Sequence, residues 1–376
     1  MEALHFSGKG SEYFKIWIVN VLLTIITIGI YYPWAKVRNR RYFYANTNLA
    51  NRNFEYHATG KQLLLGFLIG VFLFSVYTFV TQIAPQFAGI FMILFMLILP
   101  WLIWRSLMFN MRVTSFSNVH FSFKGSLGRS YAIFLGYPLV GFLLLMVVGG
   151  LASTLIPALN GSGDVPTNKT ALAIGSIIFG LLIIFGYIFM IALIRAKSKE
   201  YIIGNSYYGQ GAFSTKLETK EFIKIYAKAF GLILIPLIIM AIGMSSLHYG
   251  GGAEIVFIVG YFGTLLGMLV IMAYVVSRER AYIYKNTLLD NKVTFKSTLG
   301  AREFAFVMFT NFLLVVFTIG LATPWAKVRV ARLMLANTLV DTSVGFDEYI
   351  TQQQSSVSAI GEQIGEAFDV DIDVGF

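Results

Sequence analysis

The residues best suited to chemistry come in two copies. Pro33-Trp-Ala-Lys-Val-Arg38 recurs as Pro324-Trp-Ala-Lys-Val-Arg329, 291 positions later. At that offset Glu12 meets Glu303, Asn20 meets Asn311, and Thr27-Ile28-Gly29 meets Thr318-Ile319-Gly320. Arg41 also meets Arg332, and Ala45-Asn46-Thr47 meets Ala336-Asn337-Thr338. The match needs no gap, so it reads as an internal repeat. Lys36, Arg38, Lys327 and Arg329 form a candidate anion or lipid-headgroup site, because the planar fork of Arg matches phosphate and carboxylate. The structural reading competes with it and is the stronger. Pro opens or kinks a helix, Trp sits at the membrane interface, and Lys and Arg reach lipid phosphates. Asn20 and Asn311 form a candidate intramembrane polar pair. Polar groups at that depth either mark function or bond helices together, and bonding is the favoured reading.

Other chemistry is poorly represented. There is no Cys, hence no disulfide, thiolate metal site or cysteine nucleophile. His5, His57, His120 and His248 show no metal-ligand spacing such as His-Glu-x-x-His. No P-loop, Gly-x-Gly-x-x-Gly, Gly-x-Ser-x-Gly or intramembrane carboxylate pair occurs. No enzyme activity, metal or cofactor is expected.

The elements that must position these residues follow from composition. Of 376 residues, 57% are hydrophobic and 13% charged, against about 45–50% and about 25% in soluble domains. That excludes an ordinary cytosolic enzyme, a disordered chain and a fibre, and leaves a polytopic membrane protein. Six stretches are long enough to span a bilayer: Leu63–Ala84, Phe87–Phe109, Tyr131–Pro157, Ala171–Ile194, Phe222–Leu247 and Ile255–Val276. Two more, Ile16–Tyr32 and Phe304–Thr323, are shorter and interrupted. The first ends without a small-residue cleavage site and is not read as a signal peptide.

Charge sets the expected orientation. The connections 84–87 and 247–254 hold no Lys or Arg, and 158–170 holds only Lys169. The other 28 of 29 basic residues lie on the opposite side, which should be the cytoplasm. Both short stretches have basic residues at each end. They are therefore read as segments that enter and leave on one side, each arm of about 9 residues reaching about 14 Å. Thr-Ile-Gly and Pro supply the break, and broken helices mark binding sites in transporters. Eight full spans are the alternative.

A weaker pattern runs between the spans. Each basic lead-out holds Asn46-Thr47, Asn205-Ser206, Asn286-Thr287 or Asn337-Thr338, and the segment after Arg105 lacks the pair. A Phe then leads back to the membrane: Phe54, Phe121 or Phe123, Phe213 and Phe295. His5-Phe6-Ser7 matches His120-Phe121-Ser122. The expected fold is all-α, a polytopic membrane helix bundle with internal repeats. It has six full spans and two short end segments over residues 1–340, followed by an acidic tail at 341–376. The body carries +18 and the tail −8 of the net +10. The tail is expected to dock on the basic face, with Phe368 and Phe376 as anchors and 368–376 as a strand.

The Gly-x-x-x-Pro-Trp-Ala-Lys-x-Arg motif, followed by Ala-Asn-Thr, resembles the YjgN-like family of bacterial inner-membrane proteins, a domain of unknown function. The resemblance covers 4–340 and implies an inner-membrane location but no activity. It also implies a membrane zinc metallopeptidase as partner, by gene neighbourhood alone. Two functions fit the sequence. One is a transporter or channel for an anionic or amphiphilic solute or lipid. The other is a membrane scaffold or regulator that binds another membrane protein. The lipid bilayer is the partner common to both, and nothing points to nucleic acid.

Overall fold

The short segments between the spans turn out to be strands. The computed structural model describes residues 1–158, 169–246, 253–342 and 345–355. It contains an antiparallel sheet of eleven strands, which corrects the all-α expectation. They are β1 (Glu2–Ala3), β2 (His5–Phe6), β3 (Thr47–Leu49), β4 (Arg52–Tyr56), β5 (Thr114–Phe116), β6 (Val119–Phe123), β7 (Ser206–Tyr208), β8 (Gly211–Thr215), β9 (Thr287–Leu289), β10 (Val293–Ser297) and β11 (Thr338–Val340). Consecutive strands are neighbours, and the ring closes through the N-terminus. Within the stretch 2–6, Glu2 pairs with Val340 of β11 and Phe6 pairs with Thr47 of β3. A closed barrel leaves no sheet edge exposed.

Local chemistry explains why each strand starts where it does. The side-chain hydroxyls of Thr47, Thr114, Ser206, Thr287 and Thr338 donate to the carbonyl four residues back, at 2.7–2.8 Å. The amides of Asn46, Asn205, Asn286 and Asn337 do the same one position earlier. The Asn-Thr pair thus satisfies the last carbonyls of a helix and hands the chain to a strand. Val113 stands at the Asn position in the remaining case, so only Thr114 carries the signal there. Left-handed backbone at Ala50 and Asn51, at Ser117 and Asn118, and at Asp290 and Asn291 then turns three of the four hairpins, and Gly209 alone turns the one between β7 and β8.

Every hairpin turn points to one end of the barrel, and the helices leave from the other. These are α1 (Gly10–Ile26), α2 (Tyr32–Ala45), α3 (Gly60–Ile83), α4 (Ala88–Arg112) and α5 (Leu127–Tyr131), which runs through a π-helical turn into α6 (Tyr137–Ala158). Then follow α7 (Lys169–Gly204), α8 (Thr219–Ser246), α9 (Ala253–Lys285), α10 (Ala301–Phe317) and α11 (Thr323–Ala336). A final helix, α12, covers 346–355. Six helical runs are long and apolar enough to cross a membrane, and they coincide with the six expected stretches. At most 11% of any span's apolar window is buried by protein. Lipid must cover the rest, because that much apolar surface is not stable in water.

Helices α1 and α2 form a hairpin. The chain leaves β2, reverses at Ile28 and Gly29 with positive φ, and returns to β3, the hydrogen-bonded neighbour of β2. Ile319 and Gly320 reverse α10 into α11 in the same way. At 17 residues, α1 is about 25 Å long, so the arms are longer than the sequence suggested.

Candidate functional site: the barrel lumen

Strand register decides what fills the barrel. Phe54 pairs with Phe116, Phe121 with Tyr208, Phe213 with Leu289 and Phe295 with Val340. Leu4 takes the corresponding place between β1 and β2. This shifts the sequence alignment by two residues: Phe6 pairs with Thr47 as Phe123 pairs with Ser206, so Phe6 matches Phe123 and not Phe121. Alternation along each strand turns the paired residues inward. Phe116 and Tyr208 stack near Phe54 and Phe121, and Phe213 lies between Phe121 and Phe295 with ring centroids 6.5 and 6.0 Å away.

This aromatic girdle divides an apolar lumen. The part towards the hairpin turns is a cavity of about 200 Å³. The part towards the helices is about 470 Å³ and is also lined by Met111, Ile202, Ile203 and Ile283. Phe54, Phe121, Phe213, Phe295 and Tyr284 line both, so the two cavities lie on either side of the same ring of side chains.

Two arginines stand behind its wall, each in contact with residues that line it. Arg40 donates to Tyr56 and to Asn110, which lines the larger cavity. Arg280 lies 4.6 Å over the ring of Tyr284 and donates to Thr338 and to the Met334 carbonyl. Its Nε is buried without a partner. An apolar pocket with a few placed polar groups is the usual form of a small-molecule site.

The residues singled out from the sequence lie elsewhere. Lys36, Arg38, Lys327 and Arg329 sit on α2 and α11, which both flank α1. No hydrogen bond or ion pair among the described residues joins the first two to the last two. Arg38 lies over Tyr31, and Lys327 is exposed. Arg329 donates to Asn311 and Thr310. Asn20 and Asn311 are both buried, but they bond within their own hairpins. Asn20 donates to Asn39, and Asn311 donates to the Ala326 carbonyl.

The rest of the motif fastens one hairpin to the next element. Trp34 packs on Gly60 at the start of α3, and Trp325 on Gly10 at the start of α1; a Cβ at either glycine would overlap the indole. Arg41 donates to the carbonyls of Tyr56 and Ala58, and Arg332 to that of Gly8. His57 and His120 lie with rings 4.9 Å apart, and no cluster of three His, Asp or Glu able to hold a metal occurs among the described residues. The lumen aromatics had a sequence signal, the recurring Phe after each Asn-Thr. Arg280 had none.

Comparison with known proteins places this architecture. A family model described as "Bacterial protein of unknown function (DUF898)" matches residues 1–367. The chain belongs to this family. It is 28% identical to inner membrane protein YjgN of Salmonella typhimurium, over 90% of this chain and 88% of that one. It is 30% identical to YjgN of Escherichia coli strain K12, over 63% of this chain and 57% of the relative. YjgN of Escherichia coli O157:H7 is 27% identical, over 89% and 87%. No solved structure matches the chain. With six apolar helices of spanning length, the chain is a multi-pass inner-membrane protein.

Proposed function

We propose that the chain binds an amphiphile with one apolar chain and passes it between the membrane and the barrel lumen. The observation that carries this reading is the apolar cavity of about 470 Å³ on the helix side of the aromatic girdle, with a smaller one of about 200 Å³ beyond it. Its size falls in the range of small-molecule sites, and each buried methylene would contribute about 0.8 kcal/mol. An acidic head would lie beside Arg40 and Arg280 at the helix side, where one donor has no partner in the protein. Lys36, Arg38, Lys327 and Arg329 would then draw anionic headgroups to the barrel rim.

On this reading the ring consists of five copies of one unit: strand, two helices, strand. The last unit is completed by the N-terminus. The α1–α2 and α10–α11 hairpins enter and leave the membrane on one side. Eight full spans would put the paired strands β2 and β3 on opposite faces. The scaffold reading keeps one feature in its favour: no part of the apolar window of α3 is buried, which leaves a face for another membrane protein such as a metallopeptidase.

The test is a photoreactive fatty acid, activated on the purified protein in nanodiscs and mapped by mass spectrometry. Adducts on β4, β6, β8 and β10 are expected. Adducts confined to the lipid-facing sides of α3 to α9 would overturn the proposal.

A further inference from the structure

We infer that α12 is a stopper that closes the lumen at the hairpin end and lifts to open it. The inference rests on the reading of the lumen as a ligand site and concerns how that site is closed. Three side chains of α12, Phe346, Tyr349 and Ile350, are buried in the same cluster as Leu49, Phe116, Val119 and Leu289. They form one wall of the smaller cavity, opposite the aromatic girdle.

The polar contacts reach four hairpin turns. Arg52 pairs with Asp347 at 3.1 Å. Gln354 donates to the Ser117 carbonyl at 2.6 Å, and Gln353 accepts from the Gln210 backbone N–H at 2.7 Å. Lys292 lies 6.0 Å over the ring of Tyr349. The helix therefore bridges the mouth from rim to rim.

Nothing about this seal makes it permanent. A helix of ten residues is marginal in water on its own, so docking and helix formation go together. The Asp347 side of the ion pair is exposed to solvent, which weakens it. The hydroxyl of Tyr349 is buried without a partner, which opposes docking. Elements held in this way are those that open locally while the rest of a fold stays intact. An apolar chain that reached past the girdle would meet Ile350 and Phe346, so the stopper also limits how much of a ligand the lumen holds.

The absence of native Cys makes the test direct. Val119, fully buried under α12, is changed to Cys in the full chain, and its reaction with a water-soluble maleimide is timed in nanodiscs. The same variant is prepared with Phe346→Ser and Ile350→Ser, which alter only α12. The expected result is slow labelling in the first and labelling faster by about tenfold or more in the second. Cys at the exposed turn residue Asn291 should label fast in both. A second pair guards against misfolding: Arg52→Asp should speed labelling of Val119→Cys, and adding Asp347→Arg should slow it again.

Equal rates with an intact and a broken α12, or no rescue by the charge swap, would overturn the stopper whatever the lumen binds. Faster labelling without fatty-acid adducts in the lumen would leave the stopper standing and remove the amphiphile.

Discussion

Asn20 and Asn311 occupy matching sequence positions, yet they do different amounts of structural work. Asn311 ties together the Ala326 carbonyl and the Arg329 guanidinium at 3.1 and 2.8 Å. The Asn20 side chain makes one bond, to Asn39, and its amide oxygen Oδ1 is buried without a partner. Asn311→Ala should therefore cost about 1–3 kcal/mol, because it strands a charged donor, and Asn20→Ala should cost less. Thermal unfolding of the two purified variants checks this; equal losses would refute it. Tyr349 offers a second contrast. Burial, with Asp290 adding to it, pushes its phenol up to about 12, against about 10 when exposed. Ionisation of this phenol then leaves docking unaffected below about pH 10 and weakens it as pH rises towards about 12. Tyr349→Phe removes both this dependence and a partnerless hydroxyl. It should leave α12 docked as well or better by up to about 1 kcal/mol. The tail holds no Lys or Arg, so subtilisin, which cleaves after apolar residues and works in alkali, is timed on it from pH 8 to 11 and reads both effects.

At the scale of elements, the ring is held where one hairpin meets the next. The contact of Trp325 with Gly10 joins the end of the chain to its beginning, and Phe14 adds to it at 5.1 Å. Gly10→Ala should destabilise the closure, and Trp325→Leu in the same chain should recover part of the loss. Gly66→Ala should change nothing, because open space surrounds that residue. Melting temperatures of the three variants decide. Gly66 and Gly70 of α3 both face open space, whereas Gly263 and Gly267 of α9 lie against Pro236 and Ile233. The closest helix approach is instead at Gly243 and Gly260 in α8 and α9, where a Cβ would meet backbone.

The missed barrel has a physical cause. Spans are legible because about 20 apolar residues in a row have few other uses. A three-residue strand such as Thr47-Asn-Leu49 has no periodicity to read, and a lone hairpin is barely stable. Its stability comes from closure between residues 2–6 and 338–340, a contact across almost the whole sequence. The local clues were present: Asn-Thr before the strand, a left-handed pair such as Ser117-Asn118, then the Phe. They read as loop residues because each is also common in loops. The lumen was hidden for the same reason, since its wall is assembled from six distant segments. The tail was partly legible. Its docking was expected from charge, but Phe346, Tyr349 and Ile350 hold it, while Phe368, Phe376 and the strand expected at 368–376 lie outside the described residues.

For the whole molecule the open quantity is direction. The turn at Pro85–Phe87 lies at the far ends of α3 and α4 from the barrel, and the expected outer loops at 161–166 and 250–252 lie outside the described residues. Helices α7 and α9 run on past their apolar stretches into basic residues, Arg195 to Lys199 and Arg278 to Lys285, before they reach the strands. The barrel therefore lies on the side that holds 28 of the 29 Lys and Arg. Translocating that many charges would be costly, so the barrel and its stopper should face the cytoplasm. Single Cys residues at Ser162 and Gly251 should react with an impermeant maleimide in intact spheroplasts. A single Cys at Asn291, in a hairpin turn of the barrel, should react only after lysis. The reverse pattern would put the lumen's mouth in the periplasm and make any ligand reach α12 from outside. Labelling of Asn291 and Ser162 on the same side would contradict the fold itself, since α6 and α7 must carry the chain across the bilayer between them.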